Sequence, residues 1–205
     1  MTSVLVGAGA NINARNASDR TTLHWAVKNG NNCMVKQLLG AKADVAFTYE
    51  RALTALWLAV KGRQLAISEL LISYGENVNA RDTFKETVLC WAVKRSSGFF
   101  VDMLLDSGVD PSRADKLSRD PLISAALMGN AKIAQKLLSR GACPDSIDRC
   151  GRTPLAWAVA MGHMDVVRML LSRGADLKRV DQLDCCTRQR RHHCLASEHW
   201  GPCGI

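Results

Sequence analysis

Cysteine and histidine residues cluster near the C-terminus, in the part of the sequence best suited to metal chemistry. Zinc prefers thiolate and imidazole ligands in a tetrahedral arrangement. The cluster comprises Cys185, Cys186, His192, His193, Cys194, His199 and Cys203. Its spacing does not match a zinc finger, because no C-x2-4-C pair stands beside an H-x3-5-H pair. We therefore expect a disordered basic tail over residues 186–205, with a structural zinc site there as the alternative.

A second candidate site is the glycine-rich stretch VLVGAGANI at residues 4–12. An apolar run followed by Gly7-Ala8-Gly9 is typical of a turn that binds a dinucleotide phosphate at a helix N-terminus. The fingerprint needs a third glycine where Ile12 stands. The sequence also lacks paired carboxylates and HExxH, P-loop and GxSxG motifs. We therefore expect no enzyme activity and no cofactor, and rank a nucleotide-using enzyme third among the hypotheses.

Charge and cysteine usage restrict the partner and the compartment. The chain has 205 residues and a formal net charge of +8, with one tight basic cluster at Arg188, Arg190 and Arg191. This charge admits an acidic protein or nucleic acid as partner. The sequence has no apolar run of about 18 residues and no secretory signal, so we expect a cytoplasmic protein, with the nucleus as the alternative. The cysteines are then expected to be reduced, with Cys33 and Cys90 as small buried side chains.

Five repeats of 33 residues organise the chain. The segments TTLHWA, TALWLA, TVLCWA, DPLISA and TPLAWA begin at residues 21, 54, 87, 120 and 153. The position 21 residues after each start holds Lys42 in the first repeat and glycine in the other four. Apolar residues recur at helical spacing in two short runs per repeat, which predicts two helices. Helices of about ten residues are marginal alone, so they must pack on neighbouring repeats in a solenoid.

This pattern resembles the ankyrin repeat, which has the same period and the signature T-P-L-H-x-A. The resemblance covers residues 4–181 and is strongest over residues 148–177. It implies an all-α solenoid of stacked helix-turn-helix units with β-turn or hairpin-like connections. We expect the array to cover residues 4–185. Residues 4–13 would be the tail of a partial repeat capped by Gly9, so the array is expected to continue upstream.

Individual repeats depart from the family pattern. The family histidine, which the resemblance implies braces adjacent turns, is present only as His24, for which we expect a structural role. The glycine between the two helices is displaced to Gly62 in repeat two and replaced by Ser96 in repeat three. Phe99 falls where a polar residue is expected. A locally reshaped loop is the favoured interpretation, and an aromatic contact for a partner is the alternative.

The resemblance implies that partners dock on the concave face, which turn tips and first helices form. Residues seven and eight positions after each start are mainly basic in repeats one to three and apolar in repeats four and five. With nearby turn residues, the candidate partner-binding residues are Arg20, Lys28, Arg51, Lys61, Phe84, Lys94, Arg95, Leu117, Arg119, Leu127, Met128, Arg149, Arg152 and Met161. The alternative is that exposed lysines only solvate the surface.

The sequence therefore predicts a non-catalytic, monomeric protein-interaction module, a scaffold or adaptor that is a piece of a larger protein. Its groove would attract acidic side chains at the basic stretch and take an apolar anchor at Leu127, Met128 and Met161. The alternative is a nucleic-acid- or metal-associated protein that acts through the basic Cys/His tail, although nucleic acid is the less favoured partner.

Overall fold

The computed structural model describes residues 11–178 of the chain. The predicted Cys/His tail, the proposed cap at Gly9 and both ends of the expected array lie outside the described residues.

Ten α-helices form over residues 11–178, as one pair for each repeat. The first helices of the pairs are α1 (Thr22–Lys28), α3 (Ala55–Lys61), α5 (Val88–Lys94), α7 (Pro121–Leu127) and α9 (Pro154–Ala160). The second helices are α2 (Asn32–Gly40), α4 (Leu65–Ser73), α6 (Gly98–Asp106), α8 (Ala131–Ser139) and α10 (Met164–Ser172). The prediction of an all-α repeat solenoid is confirmed. Isolated antiparallel bridges, such as Arg15 with Thr21 and Arg81 with Thr87, close the hairpin-like connections.

Each first helix begins directly after the Thr or Asp that opens the repeat motif. The Asp120 carboxylate accepts the Ile123 N–H at 2.7 Å, and the Thr153 hydroxyl accepts the Ala156 N–H at 3.1 Å. These bonds satisfy backbone donors that have no partner within the helix. Pro121 and Pro154 occupy the first helical position, where a missing N–H is tolerated. The local sequence therefore determines where these helices begin.

The apolar residues of all five repeats form one continuous core. Leu38, Leu71, Leu104, Leu137 and Leu170, the first members of the five apolar pairs, are all buried. At every junction between repeats, the first helices contact each other more extensively than the second helices do. The array therefore curves, with the first helices along its inner side.

Several non-glycine residues adopt the left-handed backbone conformation that glycine takes in other repeats, among them Lys42 and Arg63. Lys42 has φ 61°, whereas Gly75 at the equivalent position has φ 84°. Between the helices of repeat two, Arg63 has φ 56° and Gly62 is right-handed with φ −79°. The interpretation that the inter-helix glycine is displaced to Gly62 is therefore wrong. The register is unchanged, and Arg63 itself takes the conformation that normally costs an L-residue energy.

The connections are joined to one another along repeats two to five. Backbone N–H groups of Thr83, Lys116 and Arg149 donate to carbonyls one repeat earlier, each at 3.0 Å. The acceptors are the carbonyls of Arg51, Phe84 and Leu117. We call this row of bonds the tip ladder. It holds the turn tips in register beside the first helices.

Candidate protein-binding surface

The first helices and the turn tips together form the surface that we call the inner face. The first helices lie along the side of the array where neighbouring repeats contact each other most closely. The period of 33 residues brings equivalent positions of successive repeats next to each other, so a side chain repeated at one position forms a row. The predicted binding residues all belong to this set of positions. Some of their side chains are engaged in contacts within the protein, and the others are exposed.

Several of the predicted cations are already engaged within the protein. Lys94 Nζ lies 2.9 Å from Glu86 Oε1 and 3.6 Å from Asp115 Oδ2. Arg20 Nη2 lies 2.9 Å from Glu50 Oε1. Lys94 is therefore largely neutralised, and Arg95 is the exposed cation of the predicted basic row in repeat three.

Two further cations of the predicted set stabilise the connections. Arg119 Nε lies 3.3 Å from Asp115 Oδ2, and both side chains are mostly buried. The Arg152 guanidinium stacks over the Trp157 ring at 4.5 Å from its centroid. These contacts position the turns, so neither side chain is freely available to a partner.

Lys28, Lys61 and Arg95 are exposed on the inner face. Lys28 Nζ lies 5.2 Å from the centroid of the Trp25 ring, and Arg95 Cζ lies 5.4 Å from that of Trp91. Such cation–π contacts keep the charged groups beside aromatic surface. Within the described part of the chain, Lys61 has no ion-pair partner.

Trp25 and Trp91 form an apolar stripe with Leu58 that sequence reasoning missed. All three residues stand four positions after a repeat start, on successive first helices. Trp25 is 43% exposed, whereas Trp157 at the equivalent position is buried, and its Nε1 donates to Asp148 Oδ2 at 2.9 Å. The signal was the repeated choice of a large apolar residue at a position of the first helix that the core covers only in part.

A groove between repeats two and three combines both features. Its volume is about 390 Å³. The residues that line it are Val60, Lys61, Arg63, Trp91, Arg95 and Ser97. Three of the six are cations and none is a carboxylate. The groove therefore offers positive charge around an apolar floor.

Phe84, the one aromatic residue among the predicted binding residues, is 48% exposed. Its ring lies between two cations, with Arg51 Cζ at 5.1 Å and Lys116 Nζ at 4.9 Å from the centroid. Leu117 and Arg149 follow on the tip ladder, which brings the predicted turn residues together along one edge of the inner face.

The predicted apolar patch lies on repeats four and five. Leu127 is half-buried, while Met128 and Met161 are exposed. Val159 is also exposed and was not predicted. Methionine adapts its shape to a partner, so these side chains suit an apolar anchor.

The buried histidine and one buried cysteine connect neighbouring repeats. His24 Nδ1 lies 2.9 Å from Thr21 Oγ1, and its ring meets the edge of the Tyr49 ring at 5.0 Å between centroids. Burial lowers the pKa of His24 from 6.5 to about 4. Cys90, at the same position of repeat three, donates from Sγ to the Arg113 carbonyl at 3.4 Å. These contacts agree with a structural role for His24.

Cys33 differs from its expected burial, because it is exposed on α2. The buried residues of this helix are Val35, Leu38 and Leu39, which lie on its opposite side. No group of three or more His, Cys, Asp or Glu residues within residues 11–178 could hold a metal ion. In the same range, no helix is long and apolar enough to cross a membrane.

Three copies of the family model for ankyrin repeats match residues 1–82, 23–115 and 89–181. An ankyrin repeat protein of Acanthamoeba polyphaga mimivirus is 31% identical to the chain over 87 residues. This alignment covers 42% of the chain and 12% of the viral protein. The chain therefore spans only a small part of the length of that relative.

Proposed function

Because the chain belongs to the ankyrin-repeat family, we propose that it is a non-catalytic scaffold or adaptor that binds a protein partner through its inner face. Ankyrin repeats are generally protein–protein interaction modules, and the family is typically non-enzymatic. The inner face exposes the large apolar side chains of Trp25, Phe84, Met128, Val159 and Met161. This set of exposed aromatic, cationic and methionine side chains is the observation that carries the proposal.

The composition of the inner face supports a protein partner of mixed character. Repeats one to three present Lys28, Lys61 and Arg95 next to Trp25 and Trp91. Repeats four and five replace the cations by Met128 and Met161, together with Val159. A partner that spans the array would therefore contact positive charge on repeats one to three and apolar surface on repeats four and five. Aromatic residues, methionine and arginine are enriched in protein interfaces.

The buried ionisable groups support a non-catalytic role. Glu76 Oε1 accepts the Leu56 N–H at 2.8 Å, and Cys90 is fully buried in the core. Burial raises the pKa of the Cys90 thiol to about 11, so the nucleophilic thiolate is disfavoured at neutral pH. His24, Glu76 and Cys90 belong to three different repeats and each serves its own helix or connection.

The proposal is tested by mapping where a ligand binds. A phage-displayed random peptide library is selected on the intact chain, and the tightest binder is synthesised. Hydrogen–deuterium exchange of the complex should show protection on α1, α3, α5, α7, α9 and the turn tips. Protection confined to the outward surfaces of α2, α4, α6, α8 and α10 would contradict the proposal.

A further inference from the structure

We propose that the groove between repeats two and three binds an acidic peptide segment that presents an aromatic or aliphatic side chain between carboxylates. This inference rests on the proposed function, because it names the chemistry of one contact on the inner face. The groove is lined by three cations, Lys61, Arg63 and Arg95, and by the apolar surface of Val60 and Trp91. No carboxylate lines it, so its charge is complementary to an acidic ligand.

Arg63 is the residue that distinguishes this groove. The equivalent residue in three other repeats is Gly30, Gly129 or Gly162, each with positive φ. Arg63 has φ 56° and makes no ion pair within residues 11–178. Arg63 therefore places an exposed cation at a backbone position that glycine would occupy with less strain. Strained positions occur often at binding sites, so this cation is a suitable contact for a ligand.

The apolar surface of the groove determines which side chain of the ligand binds beside its carboxylates. Trp91 is half-buried and packs against Trp57, with the ring centroids 6.2 Å apart at 65°. The ring is thus held rigidly by the core, and its free surface faces the groove. A rigid aromatic side chain costs little conformational entropy on binding. A Trp, Phe or Leu of the ligand can cover it while neighbouring carboxylates reach Lys61 and Arg63.

A nucleic acid is the less suitable occupant. Binding to a phosphate backbone requires cations that follow the strand over several phosphates. On this inner face the positions after Lys61 and Arg95 are occupied by Leu127, Met128 and Met161. The cations on the first helices therefore end at repeat three, and their extent fits a short acidic segment. The exposed cations Lys116 and Arg149 belong to the turn tips instead.

Arg63→Gly separates binding from stability. Glycine takes this backbone conformation without strain, so the variant should unfold at a temperature about 2–4 °C higher. It also removes a cation from the groove, so affinity should fall. Ser96→Gly is the matched control, because Ser96 stands at the same position of repeat three with φ 52°. This control should raise the unfolding temperature and leave binding unchanged.

The probe is a fluorescein-labelled 13-residue peptide with one central Trp flanked by three Glu on each side. Its dissociation constant is measured by fluorescence anisotropy with the intact chain and both variants. Arg63→Gly should weaken binding about three- to ten-fold, the range for one partly exposed interfacial charge pair. Replacing all Glu of the peptide by Gln, or its Trp by Ala, should weaken binding similarly or more.

Four results would overturn the inference: unchanged affinity in Arg63→Gly, equal binding of the Gln peptide, binding of the Glu peptide weaker than about 1 mM, or tighter binding of a labelled oligothymidine. If the selected library peptide still protects the inner face in any of these cases, the proposed function stands and only this groove is wrongly assigned. If protection of the inner face is also missing, both proposals fail.

Discussion

The substitution Glu76→Gln should raise the unfolding free energy of the array more above pH 7 than below pH 4.5. Glu76 is only 4% exposed, and the equivalent positions of other repeats hold Ala43, Val109 and Ala142. Burial raises the pKa of its carboxyl from 4.5 to about 7, although the Thr54 hydroxyl and the Leu56 amide oppose this effect. Ionisation of Glu76 is therefore unfavourable in the folded state.

The size of the effect follows from the two pKa values of Glu76. A carboxyl whose pKa is raised on folding contributes stability that is fully present below pH 4.5 and is lost as pH rises through 7. At about 1.4 kcal/mol per tenfold change in ionisation constant, the loss is about 3 kcal/mol. Gln keeps a carbonyl for the Leu56 N–H at 2.8 Å and cannot ionise. Between pH 4.5 and pH 8.5 the unaltered protein should therefore lose about 3 kcal/mol of unfolding free energy that the variant keeps.

Urea unfolding, followed by circular dichroism at several pH values, measures this difference. Glu76→Ala is the matched control, because it also removes the ionisable group but leaves the Leu56 N–H without its acceptor. This control should share the pH profile of Glu76→Gln and be less stable by about 1–3 kcal/mol at every pH. Effects of His24 are common to all three proteins and cancel. Parallel pH profiles for the unaltered protein and Glu76→Gln would refute the reasoning.

Three further predictions concern stability. The pKa of His24 is lowered on folding, so its contribution of about 3 kcal/mol should be present above pH 6.5 and lost as pH falls through 4; an NMR titration that finds a pKa near 6.5 in the folded protein would contradict this. Lys42→Gly should increase the unfolding free energy by about 1 kcal/mol, because φ at this position is 61°, and a lower thermal midpoint would count against it. Leu104→Ala, in the core, should cost about 2–5 kcal/mol, whereas Phe99→Ala, at an 80% exposed side chain, should cost less than about 0.5 kcal/mol by urea unfolding. Similar losses in both variants would show that Phe99 is packed rather than exposed.

Most of the fold could be predicted because one period determines both local and tertiary structure. Thr153 and Pro154 mark a helix start on their own, and Leu170 must be buried because the same position is apolar in every repeat. Neighbouring repeats then pack by translation of the same pattern. Phe99 shows how local the remaining irregularities are, since its neighbour Phe100 is buried as the pattern requires.

The candidate binding surface was harder to predict, because it depends on residues outside the repeat pattern. Lys94 is not available to a partner, because it pairs with Glu86 and Asp115, which belong to two different connections. The role proposed for Arg63 depends on a backbone angle, and its neighbour Gly62 suggested the wrong register. Side-chain pairing and backbone strain of this kind become visible only when the repeats are stacked.

The tip ladder has a mechanical consequence. Its backbone–backbone bonds join repeats two to five. The first described connection is joined to the second by contacts that involve side chains instead: the Arg20–Glu50 ion pair, the Asp44 N–H bond to Asn13 Oδ1 and the stacking of Arg15 on Phe47 and of Arg20 on Tyr49. Under tension applied along the array, repeat one should therefore detach first, at low force. Repeats two to five should yield afterwards as a stiffer block, because each step must also break a ladder bond. A ligand that binds across several turn tips should then raise the force needed to separate the repeats.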